Sequence, residues 1–414
     1  MTSRDVIIIG GGAAGLTAAI SAARSGSAVA VLEHMDRVGK KILSTGNGKC
    51  NLSNEFQGGQ NYNGLDPDFV RPALKEFNLK KTVSFFRGIG ILTISKNGYL
   101  YPRTEQASAV LDALRLEAAQ LGVEIKTECI LDSVKAEKSG FSLSYKEEGK
   151  KKEIFTKALI FANGGISASK TGSDGSADAF IEKLGHSFTE RRPALCPLKC
   201  KGDFFKQISG IRTDARIILY SDKKEIACEE GNLQLTAYGI SGIPVFQLSR
   251  KAGFALLRKE KVTAVIDFLP ELSKQQVLRF LQHRKKAAGE ENVLDALNGL
   301  LHKKLLPLIL KTAGVSSKSK GKELYEKDMQ RICDSAKNFT VEILEPVSYE
   351  QAQVTAGGVA TSEVDPDTLE SRKVKGLFFA GEVLDVDGRC GGYNLQWAWS
   401  SGYLAGRNAS NYRK

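Results

Sequence analysis

Residues 5–33 read DVIIIGGGAAGLTAAISAARSGSAVAVLE, and this stretch decides the fold. Asp5–Gly10 is a short, almost purely apolar run rich in β-branched residues, the pattern of a strand buried on both faces of a parallel sheet. Gly10, Gly12 and Gly15 follow in the G-x-G-x-x-G spacing. Gly10 permits the tight turn, Gly12 lets the backbone approach a pyrophosphate, and Gly15 lets the helix pack closely on the strand. Ala13 and Ala14 open a small-residue helix running to Arg24, whose N-terminal N–H groups and dipole favour phosphate. Ser27–Leu32 is a second buried strand ending in Glu33, placed to accept hydrogen bonds from the adenosine ribose hydroxyls. His34 then borders the adenine. Strand, glycines, helix, strand and acid, all in order, predict a bound dinucleotide.

The chain of 414 residues is long enough for two or three domains. Its 42% hydrophobic and 26% charged content are ordinary for a soluble enzyme. No run of about 18 apolar residues exists, so no membrane span is expected. MTSRDVIII enters the first strand at once, which leaves no room for a signal peptide. Seven scattered cysteines point to a reduced, cytoplasmic protein. Cys196 and Cys200 lack a second pair or a histidine cluster, so no metal is expected. The net charge of +12 is concentrated in residues 250–331, which hold 18 Lys/Arg against 9 Asp/Glu. That excess reads as a solvated helical face, or as steering for an anionic partner such as NADPH, an acidic substrate or RNA. The segment lacks interleaved aromatics, which argues against a nucleic-acid platform.

Past Glu33, Lys40 and Lys41 lead into ILSTGNGKCNLSN, a Gly- and Asn-rich loop suited to a flat polar ring. ILTISKNGYLYP reads as a hairpin turning at Asn97-Gly98. A helix runs from about Ala107 to Leu121 and stops at Gly122. Strand Val123–Lys126 precedes an antiparallel meander of Ile130–Glu137, Gly140–Tyr145 and Ile154–Thr156. A separate buried strand, Ala158–Ala162, ends in Asn163-Gly164-Gly165. From about Arg191 short strands with turn signals suggest a barrel or sandwich. TAYGISGIPVFQLSRKAG reads as a structured loop, followed by helices over 272–313 and renewed β character from Lys337. The chain then returns with strand Leu377–Ala380, Gly381, Glu382 and a helix starting at Gly391-Gly392-Tyr393. A helix N-terminus there can face the edge of a flavin where the reduced ring gathers negative charge, while Glu382 and Asp387 hold ribityl hydroxyls.

TGNGKCNLSN, ANGGIS with TGSDG, VTAGGV and AGEVLDVDGRCGGYNLQWAWSSG together resemble the YhiN/BaiN-like family of bacterial flavoproteins, over residues 5 to about 408. The family includes a bile-acid-inducible flavoprotein and aminoacetone oxidases. The resemblance implies bound FAD and an α/β architecture: a Rossmann-like FAD-binding domain with an inserted β-barrel and a small helical subdomain. The expected boundaries are 1–190 plus 346–414 for the FAD domain, 191–268 plus 330–345 for the barrel, and 269–329 for the helices. Beyond the fingerprint, it places Lys40, Lys41, Thr45, Gly46 and Asn51 at the cofactor, with Ile130, Ala162 and Gly164. The C-terminal return adds Gly381, Glu382, Asp387, Gly392, Tyr393, Asn394 and Leu395. Ala237 stands where relatives carry histidine, and Cys390 occupies a variable position, so substrate identity does not carry over.

Three functions are weighed. The first is an FAD-dependent reductase that takes a hydride from NADH or NADPH and reduces an activated C=C bond, such as the enone of a bile-acid- or steroid-like small molecule. With a single dinucleotide fingerprint, the nicotinamide must visit transiently. The second is an FAD-dependent oxidase of a small amine. The third is an RNA-modifying or RNA-binding flavoprotein, suggested by the basic insertion. Candidates for delivering a proton to a reduced alkene are Tyr393, Tyr238, Arg389 and Cys390. The 236–244 loop, with Tyr238, is expected on the substrate side.

Overall fold

The computed structural model describes residues 2–412. The chain forms two compact units, Met1–Arg192 with Gln353–Lys414, and Pro193–Ala352. From sequence these limits are expected at 190/191 and 345/346, with the second part divided further into a barrel and a helical subdomain.

The first unit opens with β1 (Thr2–Ile9), α1 (Ala13–Arg24) and β2 (Val29–Leu32). Val6, Ile7 and Ile8 have no exposed surface, as an apolar run covered on both faces requires. β1 and β2 run parallel, from Val6 opposite Val29 to Ile9 opposite Leu32. A short α2 (Lys40–Ser44) follows, then the hairpin of β3 (Thr93–Lys96) and β4 (Tyr99–Pro102). Asn97 and Gly98 turn it with φ of 52° and 85°, the left-handed pair that a two-residue hairpin needs. α3 (Ala107–Gln120) leads to β5 (Glu124–Lys126), and β6 (Cys129–Glu137), β7 (Gly140–Glu147) and β8 (Lys150–Phe161) form the meander.

β8 corrects the expectation of two separate strands at 154–156 and 158–162. Its first half pairs antiparallel with β7, and from Ile154 to Phe161 it also runs parallel to β1. Lys157, which lies between the two expected strands, is exposed and reaches the Asp5 carboxylate at 3.2 Å. One strand thus carries the chain from the meander into the parallel sheet. The sheet order is β5-β2-β1-β8-β7-β6.

The second unit is built on a closed barrel. Its strands are β9 (Leu198–Cys200), β10 (Arg212–Ser221), β11 (Lys224–Thr236) and β12 (Gly239–Ser241), with α4 (Ile243–Leu257) between β12 and β13 (Val262–Asp267). α5 (Lys274–Ala287) and α6 (Glu326–Lys337) precede the last strand, β14 (Phe339–Pro346). The barrel closes in the order β9-β12-β11-β10-β13-β14. The stretch from Gly239, read as a loop, is instead a strand and a helix. Gly242 enters the helix at φ 101°, Pro244 sits in its first turn, and Val245, Leu248, Ala252 and Ala255 form its buried stripe. The expected 329/330 boundary falls inside α6, and one apolar core contains both barrel residues such as Ile217 and helical ones such as Val277 and Ile332.

The chain returns to the first unit as β15 (Leu377–Phe379), parallel to β8, and α7 (Tyr393–Asn411). α7 crosses α1 at backbone distance. A Cβ on Gly402 or Gly406 would stand 2.4 Å from the carbonyl oxygen of Ala14 or 2.2 Å from that of Ala18. All seven cysteines are free, and among the described residues no helix is long and apolar enough to cross a membrane.

Candidate cofactor and active site

The C-terminal ends of β1, β2, β8 and β15 bring the first part of the site together. Gly10 has φ 100°, and a Cβ there would lie 2.6 Å from the Ala162 carbonyl oxygen. At Gly15 a Cβ would lie 1.9 Å from the Gly10 carbonyl oxygen. The chain itself therefore requires both glycines. Gly12 differs: its φ is −80°, and a Cβ there would meet nothing within 4 Å. No internal contact calls for glycine at this position. The space lies at the N-terminus of α1, whose first turn (Ala13, Ala14) holds no acidic residue. Open volume, free helix N–H groups and the dipole's positive end fit a pyrophosphate.

Glu33, at the end of β2, is buried. The N–H of Gly11 donates to its Oε2 and that of Met35 to its Oε1, each at 2.8 Å. His34 Nδ1 lies 3.2 Å from Oε1. Burial pushes the carboxyl up, but His34 and the two backbone N–H groups outweigh it and hold Glu33 below its ordinary value. The carboxylate is thus held in orientation by its own turn. His34 in turn places Nε2 3.3 Å from Asp174 in the TGSDG loop.

Lys41 Nζ pairs with Glu382 Oε2 at 2.7 Å and approaches the Ser167 carbonyl oxygen at 3.3 Å. Glu382 Oε1 accepts from the Thr355 N–H at 2.8 Å. This pair joins α2 to the turn after β15, beside Gly381, where a Cβ would sit 2.8 Å from that of Ala14. Gly164, at φ 77°, leaves no room for a Cβ beside Ser173 Oγ (2.7 Å). Other residues expected at the cofactor have partners within the chain. Lys40 pairs with Asp36 at 2.5 Å, and Thr45 Oγ1 donates to the Ile42 carbonyl at 2.6 Å. The Asn51 amide, oriented to satisfy both its ends, donates to the Ser53 and Leu100 carbonyls. Ile130 stands on the meander with its side chain 61% exposed.

The second part of the site gathers at the N-terminus of α7. Gly391 and Gly392 have φ of 121° and 95°. A Cβ on Gly392 would press on the Ser53 carbonyl at 2.4 Å, and one on Gly391 on the Tyr99 ring at 2.6 Å. The Asn394 amide brackets Gly388, accepting from its N–H at 2.8 Å and donating to its carbonyl at 2.9 Å. Trp397 and Trp399, both buried, donate to the carbonyls of Gly381 and Leu52 at 3.0 Å. Gln396 bonds Ser53 and Thr82. The helix thereby pins the end of β15 and the segment after the TGNGK loop to itself. Its first turn carries no acidic side chain and includes Leu395.

Two further expected residues have partners within the chain. Asp387, expected at the ribityl chain, is buried, and Asn63 Nδ2 donates to its Oδ2 at 3.1 Å. Tyr393, expected as a proton donor, is buried and donates its hydroxyl to the Phe56 carbonyl at 3.1 Å. Arg389 and Cys390 lie half-buried on the turn just before α7. Burial pushes the Cys390 thiol up, with Arg389 opposing. Tyr238 belongs to the second unit, on the turn between β11 and β12, and is 40% exposed. Sequence reading missed Tyr99 and Tyr101. They alternate along β4 with buried Leu100 and Pro102, so both rings share one face. Tyr99 abuts Gly391, and Tyr101 lies 3.6 Å from the Cβ direction of Gly46. Burial and Tyr99 push the Tyr101 phenol up, with Lys49 opposing. The signal was available: the YLYP alternation follows directly on the Asn-Gly turn.

Residues 4–408 match the model of the HI0933-like protein Rossmann domain. The chain belongs to the HI0933-like family. The resemblance read from the motifs agrees with this match. Over 405 residues the HI0933-like chain is 42% identical to a 3-dehydro-bile acid delta(4,6)-reductase of Clostridium scindens, covering 97% of this chain and 98% of that one. It is 28% identical to a ribosomal RNA dihydrouridine synthase of Escherichia coli, covering 98% and 97% of the two chains. Among solved structures, a 3-ketosteroid delta1-dehydrogenase of Sterolibacterium denitrificans shares the fold, at a TM-score of 0.56 and 12% identity over 99% of this chain and 100% of that one.

Proposed function

We propose that this HI0933-like protein is an FAD-dependent oxidoreductase that draws electrons from NADH or NADPH in the cytoplasm and reduces a C=C bond conjugated to a carbonyl in a small ring substrate. The observation that carries the reading is the 42% identity, spread over nearly the whole of both chains, to a reductase of 3-dehydro bile acids. In such a compound the ketone lies in conjugation with the ring alkene, so the double bond accepts hydride at one carbon and a proton at the other. Bound FAD supplies the two-electron carrier.

The chain's own residues do the rest. The open space at Gly12 and the α1 N-terminus hold the pyrophosphate, and Glu33 orients the ribose. Glu382, held by Lys41 and the Thr355 N–H, takes the ribityl chain. The α7 N-terminus, kept free of acids, favours negative charge placed before it. Tyr101, on the same face as Tyr99 and beside Gly46, is the residue we assign to proton donation, and its raised phenol stays protonated near neutrality. Tyr99, Arg389 and Cys390 line the same side.

A second reading is supported by the relative named as a ribosomal RNA dihydrouridine synthase and by the net charge of +12. Dihydrouridine is also the product of saturating an alkene conjugated to a carbonyl, so the two readings share a reaction and differ in substrate. An anaerobic titration separates them. Flavin bleached by NADH or NADPH and reoxidised by a 3-oxo-Δ4,6 steroid supports the first reading. Reoxidation by a uridine-containing ribosomal RNA fragment alone supports the second. Bleaching by aminoacetone, with none by NADH or NADPH, overturns both.

A further inference from the structure

We infer that His34 and Asp174 act as a positioning pair that locks Glu33 and the TGSDG loop around the adenosine end of the cofactor, and that this lock opens as His34 loses its proton. The inference rests on the FAD reading above.

Three acidic and basic groups stand in line. Glu33 Oε1 lies 3.2 Å from His34 Nδ1, and His34 Nε2 lies 3.3 Å from Asp174 Oδ2. The imidazolium is attracted to both carboxylates, whereas a neutral imidazole carries no charge and has a proton on one nitrogen only; Nε2 makes no hydrogen bond in the structure, so its tie to Asp174 is the ion pair alone. The line joins two segments far apart in sequence, the end of β2 and the loop after β8. The loop sits directly on the ring: a Cβ on Gly172 would come 3.4 Å from His34 Cε1 and 3.7 Å from Glu33 Oε1. Asp174 is itself fixed, since its Oδ1 accepts from the Ser176 N–H at 3.0 Å.

The charged groups facing His34 are Glu33 beside it and Asp174 across from it. Those on the adjoining turn and helix are matched elsewhere, Asp36 with Lys40 and Lys41 with Glu382. The hydrogen bond to Glu33 raises the His34 pKa above its ordinary 6.5. Burial opposes this, and the charges of Glu33 and Asp174 add to it. A raised folded value means that the tie is complete below 6.5 and is lost as pH climbs through the higher folded value. Because Glu33 makes the larger contribution, the link lost is the one to Asp174. The loop then keeps the contacts of Lys41 with the Ser167 carbonyl and Ser173 Oγ and those of Ile166 and Ser167 with Thr355.

The test measures the rate of FAD release from the loaded protein, by recovery of free-flavin fluorescence, from about pH 6 to about pH 9. In wild type the rate should climb about tenfold in a single-proton step lying above the ordinary histidine value, the scale of losing one partly buried ion pair. His34→Gln should release at one rate across the range. Asp174→Asn, which keeps the loop but removes one carboxylate, should move the step to lower pH. A flat wild-type profile, or an unchanged step in either variant, overturns the lock while leaving the FAD reading intact. A purified protein that takes up no FAD on reconstitution overturns both. If His34→Gln does not fold, the Asp174→Asn shift decides alone.

Discussion

The turn at Gly10–Gly15 and the turn at Gly391–Gly392 both deliver a helix N-terminus to the site, but they are built differently. At the first, Gly15 is demanded from within the turn by the Gly10 carbonyl, and Gly10 by Ala162 just past the end of β8. At the second, the demanding neighbours are Ser53 and Tyr99, more than a domain away along the chain. The first turn also keeps one glycine, Gly12, for which the protein has no use of its own. A turn whose glycine spacing is fixed in part from within can be read from that spacing. A turn shaped by distant segments can be read only once those segments are in place.

The largest effect expected from breaking this contrast is at Gly12. Gly12→Val should abolish FAD uptake while costing the apoprotein less than about 1 kcal/mol, the scale of a poorer N-cap. Flavin content and thermal melting of the apoprotein, measured together, check it. Normal flavin occupancy would remove the pyrophosphate from this turn. Gly15→Ala should do the reverse, lowering the apoprotein's own stability by about 3 kcal/mol or more, because its Cβ overlaps a backbone oxygen.

Next in size is Tyr101→Phe. It should reduce alkene reduction about 100-fold, the lower end of a general acid's contribution, with flavin content unchanged. Stopped-flow measurement of flavin reoxidation by substrate isolates that step, and a wild-type rate would take the proton donor elsewhere.

Glu33 sharpens the comparison from the fingerprint side. Its lowered carboxyl contributes stability that is complete above the ordinary 4.5 and is lost as pH falls below that value. Wild type should exceed Glu33→Gln by about 1.5–3 kcal/mol at neutral pH, for the bonds from Gly11 and Met35. Denaturant melts should show this gap closing on acidification. A gap that widens in acid would mean that Glu33 is not held as an anion.

The smallest effect belongs to Tyr393→Phe, which should cost about 1 kcal/mol of stability for the bond to the Phe56 carbonyl and leave turnover nearly unchanged. A large loss of turnover with stability intact would restore Tyr393 as the donor.

The amino-acid sequence by itself determined the parallel sheet, the fingerprint turn, the Asn97-Gly98 hairpin and the return of the C-terminal helix, because each is set by residues close together in the chain. An apolar run, a glycine at a left-handed turn or an amphipathic stripe carries its reason locally. The sequence misjudged β8, reading one strand as two, and α4, where three glycines and a proline masked a helical stripe. Only the tertiary structure decided that Tyr393 bonds the Phe56 carbonyl, that Asn63 bonds Asp387, and that Tyr99 faces Gly391 and Tyr101 faces Gly46. Those roles depend on which backbone carbonyl or ring arrives opposite a side chain, and that partner is supplied by long-range packing. It is Trp397 and Trp399, reaching from α7 to Gly381 and Leu52, that bring the pieces into register.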